Sequence, residues 1–93
     1  MNTGPMRLSD DEYQALGRAA RLKLLRRPKG FRAGSGTRVS LAVADRLLNK
    51  GLAMLDYTAA GGPRLAVTPA GQLQYDLLTI RRQRIKEQKD QRI

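Results

Sequence analysis

The chain has no cysteine, no histidine and no tryptophan, and its only aromatic residues are Tyr13, Phe31, Tyr57 and Tyr75. Without Cys or His there is no thiol chemistry and no disulfide. The ligands of nearly all zinc sites are missing, and so is the usual general base. A catalytic set would have to come from eight acids, Lys, Ser or Tyr. Asp10, Asp11 and Glu12 read as a helix cap, and no carboxylate pair is spaced for acid–base work. Neither an enzyme, a metal site nor a cofactor is expected. No run of ~18 apolar residues occurs, so no membrane partner is expected. The opening MNTGPMRL lacks the apolar stretch of a signal peptide, which points to a cytoplasmic protein. With 93 residues and so few aromatics, one small domain must pack a thin core from Leu, Ile, Val and Ala. Marginal monomer stability, or burial of apolar surface in a dimer, follows from that.

What the chain has is positive charge. Eighteen Lys and Arg stand against eight acids, a net charge of +10. The excess is spread evenly: six bases and three acids in residues 1–28, six and two in 29–68, six and three in 69–93. A small domain of this charge attracts polyanions, of which nucleic acid is the commonest.

Residues 1–8 read as a flexible N-terminus. In LSDDEY, Ser9 caps a helix and Glu12 completes a capping box, with Leu8 and Tyr13 at the staple positions. The spacing predicts a helix from Asp10 to about Arg26 with an apolar stripe of Tyr13, Leu16, Ala20 and Leu24, closed by Pro28. PKGFRAGSGTR, Pro28 to Arg38, holds three glycines, one proline and, with Arg27 just before it, four bases. It reads as a loop, either a connector with Phe31 tucked into the core or a place where backbone N–H groups meet a phosphate. Ser40 caps a second helix over 41–50, ended by Gly51 with Leu52 positioned to touch Leu47. Its buried stripe is Leu41, Ala44, Leu47 and Leu48, and Ala42, Asp45, Arg46 and Asn49 share the outside at i, i+3, i+4, i+7. Two period-2 runs around Gly61-Gly62 predict a hairpin. Thr68 and Pro69 then start a third helix running toward residue 90, with Ala70, Leu73, Leu77 and Ile80 as its apolar stripe.

The stretches VADRLLNKGLAMLDY and GGPRLAVTPAGQLQYDLL, within roughly residues 37–78, resemble the winged helix-turn-helix of compact bacterial regulators of the MarR and PadR kind. The elements carrying the resemblance are Lys50-Gly51-Leu52, Gly61-Gly62 and Val67-Thr68-Pro69-Ala70-Gly71. It implies an α+β, mostly helical fold, with a two-stranded wing and a long C-terminal helix. The second helix would be reduced or missing where loop 28–39 lies. The winged-helix domain would span 9–80, followed by a basic helical extension or tail over 81–93. The resemblance further implies a DNA-binding regulator or accessory factor of bacterial or phage style, with helix 41–50 in the major groove and wing 58–64 on the backbone. Arg46 and Asn49 carry donors for base edges, flanked by Ala42 and Asp45. Thr37 and Ser40 at the helix start, with Arg38, Lys50 and Arg64, suit phosphate, and Lys29 and Arg32 add charge in the loop. Leu73, Leu77 and Ile80 follow the 4–3 spacing of a two-helix seam, which implies a homodimer.

Two other readings of the same residues stand beside this one. A winged-helix module can use its basic surface to contact an acidic protein partner. RNA binding is a third, but single-strand readers need exposed aromatics that are scarce here.

Overall fold

The computed structural model describes residues 7–58 and 60–90, the side chains of 87–90 excepted. The expected flexible segment 1–6, hairpin residue 59 and the end of the tail, 91–93, lie outside the described residues. Three helices, α1 (Asp10–Arg21), α2 (Leu41–Asn49) and α3 (Pro69–Asp90), take about half the chain. They accompany five short strands: β1 (Leu25–Arg27), β2 (Gly30–Arg32), β3 (Arg38–Ser40), β4 (Ala53–Asp56) and β5 (Arg64–Val67). The strands form one antiparallel sheet in the order β3-β2-β1-β5-β4. The fold is α+β as expected, but it is less helical than expected.

The locally signalled elements form as the sequence predicts. Ser9 Oγ accepts from the Glu12 N–H and Glu12 Oε1 accepts from the Ser9 N–H, closing the capping box. At the end of α2, Gly51 adopts φ +72°, and the Gly51 and Leu52 N–H groups donate to the Leu48 and Leu47 carbonyls. That is the Schellman pairing, and it buries Leu52 against Leu47.

Two expectations fail. The first helix ends at Arg21, not near Arg26, and Leu22 is already extended. The buried face of α1 therefore runs through Glu12, Ala15, Leu16 and Ala19, and Ala20 is exposed. Residues 22–27 satisfy a helical and a strand period equally well; cross-strand bonds decide between them. The Arg26 N–H donates to the Pro63 carbonyl at 2.8 Å and the Leu65 N–H to the Leu24 carbonyl at 2.9 Å. These bonds bury Leu24 and Leu65 together in the core. The expected loop 28–39 is also a structured meander. Pro28 and Lys29 form the turn between β1 and β2, and residues 33–37 turn into β3. Phe31, on β2, is buried in the core.

The core lies on one side of the sheet, where Phe31, Val39, Ala53 and Leu65 meet Leu16, Ala19, Ala44 and Leu47 of the helices. A latch holds α3 to the end of α2. Thr68 Oγ1 donates to the Gly51 carbonyl at 2.7 Å and accepts from the Gly71 N–H at 3.0 Å. A Cβ at Gly71 would stand 1.9 Å from the Leu52 carbonyl oxygen, so only glycine allows this approach. From there α3 lays Tyr75 over Gly17 and stacks it on Tyr13, ring centroids 5.0 Å apart.

Burial raises the Glu12 pKa, but hydrogen bonds from Lys50 and Ser9 outweigh it, so the carboxyl titrates below its ordinary value. Its contribution to stability is therefore complete above the ordinary glutamate range and is lost as pH falls through the lowered native value. Glu12→Gln keeps an acceptor for the Ser9 N–H and removes the ion pair. It is expected to cost about 1 kcal/mol at neutral pH and to flatten the acid limb of the stability profile, read from thermal melts across the acid range. Gly71→Ala is expected to cost about 3 kcal/mol by urea denaturation. The control Gly34→Ala, where a Cβ meets nothing within 4 Å, should stay within ~0.5 kcal/mol of the parent.

Candidate nucleic-acid interface

Helix α2 places Ala42, Asp45, Arg46 and Asn49 together in solvent, as their spacing predicts. Arg46 Nε reaches back to the Ala42 carbonyl at 3.4 Å, and its terminal nitrogens are left without a protein acceptor. Ser40 caps the helix by accepting from the Val43 N–H. Lys50 is engaged elsewhere: its ammonium donates to Glu12 Oε2 at 2.5 Å, tying the end of α2 to the start of α1.

The other bases assigned to binding gather on the sheet. Paired residues in an antiparallel sheet point to the same face. Leu65, Val39 and Phe31 take the core side, so their neighbours along each strand take the outer side. The register then sets Arg38, Arg32, Leu25, Arg64 and Asp56 in one row across all five strands. A second row holds Ser40, Gly30 and Arg27. Between the rows lies a concavity of about 500 Å³, lined by Arg27, Lys29, Gly30, Arg32, Arg38 and Ser40 among others. Gly30 leaves its floor open, because a Cβ there would meet the Val39 carbonyl oxygen at 2.4 Å. Thr37 ends the turn that leads into Arg38.

Little neutralises this face. Arg32 and Arg38 stand directly opposite each other, and among the described residues neither side chain has an acidic partner. Arg27 Nη1 donates to the Arg26 and Gly61 carbonyls. Asp56, the one acid of the row, is engaged by Thr58. Hydrogen bonds from the Thr58 hydroxyl and N–H, with a smaller contribution from Arg64, hold its carboxyl below the ordinary range. Arg64 Nε is shielded from solvent with no hydrogen-bond partner.

Sequence reasoning found Lys29, Arg32, Arg38, Ser40 and Arg64 as separate positions but missed Arg27 and Gly30, and it missed that all of them share one face. The available signal was Pro28-Lys29-Gly30, with proline at the second and glycine at the fourth position of a turn that joins two strands.

On α3, Leu73 and Ile80 are 57% and 47% exposed, and Leu77 is half-buried. The contact with α1 uses another face of α3: Tyr75 stacks on Tyr13, the Thr79 and Tyr13 hydroxyls hydrogen-bond, and Arg82 lies over the Tyr13 ring and pairs with Asp10 at 2.7 Å. The apolar stripe is thus left outside the fold. Among the described residues no helix is long and apolar enough to cross a membrane, and no group of acids could hold a metal ion.

Like charges directly opposite on a sheet are destabilising. Arg32→Thr, which keeps a good strand former, is expected to raise stability by ~0.3 kcal/mol at low salt, with the gain shrinking as salt is added. Melts at two ionic strengths check it; a loss at both would mean that Arg32 has a stabilising partner.

No protein-family model, no curated protein and no solved structure matches the chain, so function is argued from its own residues.

Proposed function

We propose that the protein is a small DNA-binding regulator or accessory factor of winged-helix design. Helix α2 reads the major groove, and the β4–β5 hairpin lies on the flanking backbone. The observation that carries this reading is the outer flank of α2. Arg46 and Asn49 stand there in solvent without acidic partners, beside the small Ala42. Arg is the common reader of guanine and Asn of adenine, and a short side chain before them lets the helix approach the base edges. The order α2, hairpin, long helix supports it, as does the pairing of β1 with β5 beside the hairpin. The β2–β3 meander occupies the chain segment where the resemblance expects a second helix. Asp45 sits on the same flank, suited to accept from cytosine N4.

The exposed Leu73, Leu77 and Ile80 stripe supports a homodimer through α3, which would present two copies of α2 to the two halves of a DNA site. The exposed Met54 and Tyr57, at 50% and 73%, favour a second reading: a protein-interaction module using the hairpin and its basic surroundings on an acidic partner.

The direct test titrates the protein against random duplex and against the DNA upstream of its own gene, at two salt concentrations. Duplex preference that persists at the higher salt is expected, and Arg46→Ala with Asn49→Ala should remove it at about 1–3 kcal/mol per lost base contact. If neither duplex binds even at low salt, the DNA reading fails and the protein-partner reading replaces it. Leu73→Glu with Ile80→Glu should convert dimer to monomer in sedimentation without lowering the helix signal in circular dichroism, since both side chains lie outside the core.

A further inference from the structure

We infer that the outer face of the sheet is itself a binding surface for the phosphodiester backbone of duplex DNA, centred on the concavity around Gly30 and gripped by Arg27, Lys29, Arg32 and Arg38. The inference shares with the proposed function the identity of the polymer, but it does not depend on which element reads bases.

The first ground is the cost of the arrangement. A thin-cored protein keeps Arg32 and Arg38 in direct cross-strand opposition, with Arg27 and Lys29 at the adjoining turn and no acid lining the concavity. Nothing within the fold relieves that repulsion, whereas Lys50 and Arg82 in the helical layer are each matched to an acid. An anion seated between the arginines would relieve it.

The second ground is shape. Neighbouring strands are ~4.8 Å apart, so the row from Arg38 to Arg64 is a rigid line of cations across the sheet. The concavity is open, and the row continues past it to Arg64, which suits a linear polyanion better than a single small one. Guanidinium groups match phosphate oxygens in bidentate fashion. Ser40 adds a hydroxyl at the rim, where its Oγ already accepts from the Val43 N–H and keeps its own proton for a phosphate oxygen.

The third ground is what the face lacks. None of its residues is aromatic: the outer positions are Leu25, Arg27, Gly30, Arg32, Arg38, Ser40, Met54, Asp56, Arg64 and Ala66, and Phe31 points into the core. Without a stacking platform the surface grips backbone and does not hold unstacked bases, which selects duplex over single strand. Its contribution to binding is therefore independent of sequence and strongly dependent on salt.

The test is a titration of the 15N-labelled protein with a random duplex of about two turns, at low salt of about 50 mM. It is followed by binding isotherms over a salt series for Arg32→Gln/Arg38→Gln and for the charge-matched control Arg21→Gln/Arg81→Gln. The expected result is that the amides of Gly30, Arg32, Arg38 and Ser40 shift. The sheet pair should lose about tenfold more affinity than the control, and its slope of log affinity against log salt should fall by ~2, close to 0.9 for each phosphate released. Equal losses for the two pairs would overturn the inference, because net charge alone would then explain binding. Shifts confined to Ala42, Asp45, Arg46 and Asn49 would overturn it while leaving the groove-reading role of α2 intact. Shifts confined to the sheet would uphold it and remove that role. No binding would overturn both, and tighter binding of a single strand than of duplex would overturn the duplex assignment.

Discussion

The contact between the Leu52 carbonyl and the bare Cα of Gly71 is the constraint on which the rest of the structure depends. Thr68 adds its hydroxyl to both sides of this contact, donating to Gly51 and capping α3 through Gly71. Four element ends meet within a few residues: the close of α2, the start of β4, the end of β5 and the start of α3. Because the Schellman turn fixes where Leu52 points and Thr68 fixes where α3 begins, the direction of α3 is set before any of its side chains packs. That direction carries Tyr75 onto Gly17 and Tyr13, and Thr79 and Arg82 onto the same tyrosine. A methyl group at residue 71 would push the helix off the turn and strand those contacts together.

With eight acids for eighteen bases, where each acid is placed decides which surface is left charged. Glu12 holds Lys50, Asp10 holds Arg82, and Asp56 is drawn toward Thr58. Two of these interactions belong to the helical layer, where they join α1 to α2 and α1 to α3. The sheet's outer face receives almost no acid in return. Its charge imbalance thus follows from how the helices are tied together, and the repulsion between Arg32 and Arg38 is a local cost set against the burial of Phe31 and Val39 on the other side of the same strands.

Helix α3 has two characters because two periodic patterns run along it. Tyr75, Thr79 and Arg82 serve the fold, while Leu73, Leu77 and Ile80 turn away from it. A stripe chosen on hydropathy alone picks the second set. The packing face is mixed, built from a ring, a hydroxyl and a guanidinium that all converge on Tyr13, so hydropathy does not reveal it.

Features that close within a few residues were legible in the sequence. The Ser9–Glu12 box, the Ser40 cap, the Gly51–Leu52 ending, the Gly61-Gly62 turn and the Thr68-Pro69 start each satisfy backbone groups left over by their own helix or strand, so local chemistry suffices to identify them. The exposed flank of α2 was legible for the same reason, since Ala42, Asp45, Arg46 and Asn49 are brought together by helical geometry alone. The end of α1 and the three strands between 25 and 40 were not legible. A strand of three residues carries no measurable period, and here its hydrogen bonds go to partners far along the chain, as Leu24 and Arg26 bond to Leu65 and Pro63. The arginine row was decided by tertiary structure alone. Arg38, Arg32 and Arg64 share a face only through the register of strands distant in sequence, and a slip of one residue in any of them would have turned its arginine toward the core.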